Sequence, residues 1–145
     1  MSTTVVPNHM LVCLTVFRDV TAVMFQVTSG SCTTHSNGRC FTSPNYPSFY
    51  SNYQTCNIAV VETGRLSVEA FSTENGYDFL TVNGQRYDGT TGPNGVPVTG
   101  GSTITFSTDG SVTRSGFSIC LGTAHLHLFP IKLYMLLSIK TRFRR

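Results

Sequence analysis

Tryptophan is missing altogether, and charged side chains make up only 12% of the chain. So little charge cannot supply a broad electrostatic face. Between Cys32 and Cys120 the bases are Arg39, Arg65, Arg86 and Arg114, against the acids Glu62, Glu69, Glu74, Asp78, Asp88 and Asp109. Four minus six makes that stretch −2, so the overall +3 sits in the C-terminal residues Lys132, Lys140, Arg142, Arg144 and Arg145. A basic domain surface for nucleic acid is thereby unsupported. No CxxC pair occurs, which weakens a zinc-ribbon reading. No N-x-[ST] triplet occurs, so N-glycosylation is not expected. Long runs of helical periodicity are absent. No nucleophile can be paired with a base, since the only histidine of the middle stretch is His35, close to Cys32. A pair of close carboxylates could serve a glycosidase, but no second motif supports one, and the reading is non-catalytic.

What remains is rich in Thr, Ser, Val and Gly, in a chain of 145 residues, enough for one domain with a real core. Short apolar-alternating runs recur at regular spacing: Cys40–Thr42, Asn57–Val61, Arg65–Phe71, Phe79–Val82, Gly95–Val98, Ser102–Ser107 and Gly116–Leu121. Asp88-Gly89, Asn94-Gly95, Gly100-Gly101 and Asp109-Gly110 mark turns between them. Ser102–Ser107 places Ile104 and Phe106 on one face and Thr103 and Thr105 on the other, the pattern of a half-buried antiparallel strand. The expected fold is an all-β, antiparallel two-sheet sandwich of jelly-roll type.

The ends of the chain differ in character. Residues 1–31 hold the apolar run Met10–Phe17, then Arg18-Asp19, then a second apolar run. The small residues Ser29, Gly30 and Ser31 resemble those of a cleavage region, but no Lys or Arg precedes the run. The segment reads as an atypical or unstructured leader, with an extra strand or a misplaced start as alternatives. Residues 122–145 carry about fourteen mostly apolar residues interrupted by Pro130 and Lys132, short of the ~20 needed to span a bilayer. Their basic end suits a membrane surface, and a translated non-coding end reads equally well. His125 and His127 are read as incidental. This partition puts the domain at residues 32–121.

Five cysteines are present. Cys13 lies in the N-terminal apolar run, while Cys32, Cys40, Cys56 and Cys120 bracket the β-rich region. An even set around a Gly-rich domain points to disulfides and an oxidising compartment, with three connectivities open.

The stretch Phe71–Gly84, FSTENGYDFLTVNG, reads as one strand ending, a turn at Asn75-Gly76 and a second strand. Glu74 and Asp78 flank that turn. Carboxylates held close repel each other unless a cation lies between them, and hard oxygen ligands suit calcium. The residues alone admit two readings, solvated loop acids or ion ligands.

The segment Cys40–Cys56, CFTSPNYPSFYSNYQTC, narrows the choice. SPNYP followed by a Tyr-bearing loop and a Cys resembles the CUB domain. In order, GRLSVEAFSTENGYDFLTVNG is similar to that family's strand, acidic turn and YD strand, and Ser107–Ser111 with Gly116–Ile119 is similar to its closing SDxS…GFxI signature. The resemblance covers about residues 32–120. It implies an extracellular, secreted, non-catalytic binding module. By position it implies a calcium site of Glu74, Asp78 and Asp109, with Ser111 offering a backbone oxygen and Glu69 as the alternative to Glu74. The partner so implied is an extracellular protein with a basic side chain, or a glycan, with Tyr46 and Asn75 as contact candidates. On this view Asp78→Ala relieves repulsion and leaves the ion-free domain no less stable.

The resemblance also implies the first family bridge, Cys32–Cys56. The family's second bridge, which closes the acidic turn, has no counterpart here, because Gly76 occupies the position of its first cysteine. Cys40–Cys120 would then be a non-standard clasp between first and last strands, consistent with Phe41 and Ile119 pointing inward. By chain entropy each bridge contributes roughly 3–4.5 kcal/mol. The competing reading is a purely structural, disulfide-stapled sandwich, or a piece of a larger secreted protease or matrix protein.

Overall fold

The computed structural model describes residues 22–122; Cys13, the histidine pair and the basic tail lie outside them. The described residues form ten strands and no helix. In chain order these are β1 (Phe25–Gly30), β2 (Thr33–His35), β3 (Cys40–Thr42), β4 (Thr55–Val60), β5 (Gly64–Ser72), β6 (Phe79–Val82), β7 (Gln85–Tyr87), β8 (Pro97–Val98), β9 (Thr103–Ser107) and β10 (Gly116–Gly122). They make two five-stranded sheets, β1-β4-β9-β6-β7 and β2-β3-β10-β5-β8. Every strand pair is antiparallel, as the composition and spacing led one to expect.

The alternation seen in the sequence is what closes the sandwich. Cys56, Ile58 and Val60 of β4, Leu80 and Val82 of β6, and Ile104 and Phe106 of β9 face Phe41, Leu66, Phe117, Ile119 and Leu121 of the other sheet in one buried cluster. Aromatic rings run through it edge to face: Phe25 on Phe41 (4.7 Å), Phe41 on Phe117 (5.8 Å), Phe117 on Phe106 (5.0 Å) and Phe106 on Tyr50 (5.4 Å). Each such pair adds about 0.5–1.5 kcal/mol beyond the area it buries. The chain of rings ends at Tyr50, where the acidic loops begin.

Three strands lie beyond the seven runs read from the sequence, the first of them the extra strand held as an alternative for the N-terminal segment. β1 lies N-terminal to the boundary expected at Cys32. It pairs with β4 from Phe25↔Val60 to Gly30↔Cys56 and buries Phe25 completely. Residues 25–30 therefore belong to the sandwich, and the Ser29-Gly30-Ser31 stretch read as a cleavage region lies at the end of a paired strand. β2 and β7 have only three residues each, too few to show a period. β7 follows a two-residue turn in which Asn83 and Gly84 both have positive φ (52° and 79°), the backbone that a two-residue hairpin favours.

The turn at Asn75-Gly76 is not a hairpin. β5 belongs to one sheet and β6 to the other, so residues 73–78 cross the end of the sandwich. This crossing puts carboxylates at the sandwich rim. Two disulfides are formed, Cys32–Cys56 and Cys40–Cys120, with Cα separations of 5.8 and 3.9 Å. The first ties the connection by which the chain passes from β1 to β2 in the other sheet onto β4, the neighbour of β1; the second joins the paired residues of neighbouring strands β3 and β10.

Candidate functional site: an acidic cluster at the sandwich rim

Three loops meet at this rim. Residues 73–78 bring Glu74 and Asp78, the loop after β9 brings Asp109, and the loop between β3 and β4 brings Tyr50. The SPNYP segment anchors the last loop. Ser43 exchanges hydrogen bonds with Phe117, its backbone N–H donating to the Phe117 carbonyl (3.1 Å) and its Oγ accepting from the Phe117 N–H (3.0 Å). Gly116 makes that approach possible. Its φ is +79°, and a Cβ there would stand 1.7 Å from Ser43 Oγ.

Glu74, Asp78 and Asp109 each point a carboxylate oxygen to one place, all within 4.8 Å of one another. Asp78 is wholly buried. Its Oδ2 accepts the Tyr50 hydroxyl at 2.6 Å and its Oδ1 accepts the Asp109 N–H at 2.9 Å. Asp109 Oδ1 accepts the Ser111 N–H at 2.9 Å. Tyr50 is the hub. Its hydroxyl also accepts the Glu74 N–H at 3.0 Å, and its own N–H donates to the Arg114 carbonyl at 3.1 Å. Burial, followed by the hydrogen bond to Asp78, holds the Tyr50 phenol well above its ordinary 10.0, so it remains a donor.

Glu74 is the exception within this network. Its Oε2 is buried and has no hydrogen-bond partner. Loss of solvent, then the charges of Asp109 and Asp78, raise its pKa above the usual 4.5, while Arg114 pulls the other way. An unpartnered carboxylate oxygen beside two further carboxylates is an unfavourable arrangement that a cation would relieve. The donor set is all oxygen, which suits calcium rather than a softer metal.

Hydrogen bonds hold the acidic turn, which carries no cysteine. The Gly76 N–H donates to the Asp88 carboxylate, and the Thr73 N–H to the Gly89 carbonyl at 2.8 Å. The bonding of Asp78 also corrects one expectation. A wholly buried carboxylate with two donors cannot be deleted without orphaning them, so Asp78→Ala is expected to destabilise the ion-free domain rather than spare it.

Of the other residues singled out from the sequence, Asn75 is exposed on the turn between Glu74 and Gly76. Ser111 contributes its N–H to Asp109. Glu69 lies elsewhere, on the outer face of β5 against Ser118. Tyr46 lines a shallow cavity with Glu69, His35 and Ser118 and shares none of the cluster's acids. A groove of about 710 Å³ along β1 and β2 has no acidic lining residue. Sequence reasoning missed the hub role of Tyr50 among three neighbouring tyrosines, and it missed Arg114. Nothing local separates Tyr50 from Tyr46 or Tyr53; only its burial does, at 2% exposed. Exposed aromatics stand close in sequence to the cluster residues: Phe49 (61%), Tyr53 (83%) and Tyr77 (61%). The Tyr53 N–H donates to the Asp109 carbonyl at 2.7 Å, and the Tyr53 ring lies against Gly110, the next residue.

The comparisons with known proteins agree with this architecture. The sequence model of the CUB domain family matches residues 29–121. No curated protein and no solved structure gives a significant match to the chain. A two-sheet sandwich, a disulfide of the first family position and a match over most of the described residues lead to one conclusion: the chain belongs to the CUB domain family, whose members are typically extracellular and generally non-catalytic binding modules.

Proposed function

We propose that this domain is a calcium-assisted binding module whose rim captures a basic side chain of an extracellular protein. The observation that carries the reading is Glu74 Oε2, buried and unpartnered beside Asp78 and Asp109. Glu74, Asp78 and Asp109 would hold the ion; Ca²⁺ takes six to eight oxygens, the remainder from backbone and water. When bound, the ion would supply fixed positive charge that offsets most of the charge of the acids. The protein's own part is positional. Tyr50 and the Asp109 N–H fix the Asp78 carboxylate, and Ser111 fixes that of Asp109. Lone pairs left over on these acids accept hydrogen bonds from a partner's Lys or Arg. Exposed Tyr53, Tyr77 and Phe49 offer apolar and cation–π contact around that head group. The acids, which discriminate for charge, favour a partner with a cationic side chain over a neutral glycan.

A calcium titration of the full chain, read by calorimetry and by thermal melting, tests the reading. Calcium at 100 times its dissociation constant should stabilise the fold by about 2.7 kcal/mol, and Glu74→Gln should reduce that gain. Capture of lysine- and arginine-bearing peptides should fall with chelator in step with ion occupancy. A melting temperature unmoved by millimolar calcium would leave a purely structural sandwich.

A further inference from the structure

We propose a second metal site, independent of the acidic rim, that opens when the Cys40–Cys120 disulfide is reduced: a zinc-type centre of His35, Cys40, Cys120 and Glu69. These residues stand on four adjacent strands. His35 of β2 pairs directly with Cys40 of β3, Cys40 pairs with Cys120 of β10, and β5 lies on the far side of β10. An imidazole nitrogen of His35 and the two sulfurs lie within 4.8 Å of one another.

A bulge supplies the fourth donor. Ser118 pairs with Ala70 and Ile119 with Val68, so Glu69 has no partner in the ladder. Extra residues of this kind re-aim a side chain. Here the Glu69 carboxylate reaches across to β10, where Oε2 accepts the Ser118 hydroxyl at 2.8 Å and Oε1 lies 3.2 Å from Cys120 Sγ. A disulfide sulfur carries no hydrogen, so Oε1 gains no hydrogen bond from it while the bridge is closed. His35 is already oriented as a ligand would be: one ring nitrogen faces Ser118 Oγ (3.3 Å) and the other Ser36 Oγ (3.1 Å), leaving an outer hydrogen bond to fix the tautomer once the inner nitrogen takes a metal. A cavity of about 370 Å³ lined by Thr33, His35, Thr42, Tyr46, Glu69 and Ser118 gives an entry path.

The chemistry balances as follows. A dithiol reductant attacks the bridge and breaks the S–S bond; two protein thiols form and the reductant becomes a disulfide. Attack falls on Cys120, which is part-exposed, whereas Cys32 and Cys56 are 5% and 1% exposed. Zinc then displaces two thiol protons to solvent. Two thiolates, a neutral imidazole and a carboxylate complete a tetrahedron. With Zn–S near 2.3 Å the sulfurs separate to about 3.8 Å, a rotamer adjustment within paired strands.

The test uses the full chain carrying Cys13→Ser, His125→Ala and His127→Ala, reduced anaerobically with a dithiol and titrated with Co²⁺ as the spectroscopic probe. The expected result is one Co²⁺ per chain, with the strong visible absorption of a tetrahedral ion and a thiolate charge-transfer band. Cys40→Ser should weaken binding and diminish the charge-transfer band, Cys40→Ser with Cys120→Ser should abolish that band, and His35→Ala and Glu69→Ala should each weaken binding on the order of tenfold or more. Circular dichroism is followed in parallel. If the reduced chain unfolds without metal, recovery of the β spectrum on adding Zn²⁺ supports the proposal, and failure to recover overturns it. A weak octahedral spectrum, or binding unchanged by Cys40→Ser or by His35→Ala, also overturns it. Calcium binding by the rim is read separately, on the oxidised chain, so neither result decides the other.

Discussion

Replacing Tyr50 by Phe removes one oxygen from the point where the core meets the acidic rim. The ring stays packed on Phe106, so the cost is nearly all hydrogen bonding. The hydroxyl donates to the buried Asp78 carboxylate at 2.6 Å and accepts the Glu74 N–H at 3.0 Å. A hydrogen bond to a charged group contributes about 1.5–3 kcal/mol and a neutral one about 0.5–1.5. Water can partly replace the phenol at Glu74 but less readily at Asp78, which is wholly buried. The loss should therefore be about 2–4 kcal/mol. At roughly 4–8 °C per kcal/mol for a domain of this size, the melting temperature should fall by at least about 8 °C. Calcium affinity should fall as well, because Asp78 and the Glu74 backbone lose their common tether. The assay is thermal and urea unfolding of both proteins, with calcium and with chelator. A Tyr50→Phe chain that melts within about 2 °C of wild type would refute the view of Tyr50 as the hub of the rim. A parallel check follows from the raised phenol. The unfolded chain ionises near 10.0 and the folded one only above it, so stability from this group is present below that pH and declines as pH rises past it; Tyr50→Phe should flatten that decline.

Three further outcomes are expected. Glu74 holds its proton more tightly folded than unfolded, so its contribution to ion-free stability falls as pH rises from about 4.5 through its raised value; the calcium-dependent gain in melting temperature should grow over that same window, and an equal gain at both ends would contradict the assignment. Asp78→Ala should abolish the calcium gain and also destabilise the ion-free domain by about 2 kcal/mol or more in urea unfolding, whereas Asp109→Asn should weaken calcium binding less, since its amide oxygen can still ligate. Gly116→Ala puts a Cβ 1.7 Å from Ser43 Oγ at a φ of +79°; the strain should cost at least about 2–3 kcal/mol in equilibrium unfolding, and a neutral effect would mean that the Ser43–Phe117 anchor is dispensable.

Much of the molecule can be read from local pattern. The period-2 runs of β4, β6 and β9 declare their buried faces because one face of each strand meets the core. SPNYP, YDFL and GFSI mark family membership because each is a contiguous stretch in a required order. Cysteine number and setting point to an oxidising compartment. The strands that stayed hidden are those with the weakest local signal: β2 and β7 are short and bury no residue fully, and in β1 only Phe25 is fully buried.

The sequence alone determined that an all-β sandwich forms, and it offered Glu69, Glu74, Asp78 and Asp109 as candidate acids. Which acids actually meet was decided only in three dimensions. Glu69 and Glu74 are five positions apart and equally plausible by composition. The bulge in β5 turns Glu69 onto the outer sheet face, while the crossing between sheets carries Glu74 to the rim beside Asp109 from a distant loop. The same holds for the cysteines. Without a CxxC pair they give no sequence signal for a metal, yet antiparallel pairing across β2, β3 and β10 sets His35, Cys40 and Cys120 side by side. Strand faces follow from neighbouring residues, because burial acts on each strand separately. Sites follow from register and sheet assignment, which depend on every strand at once.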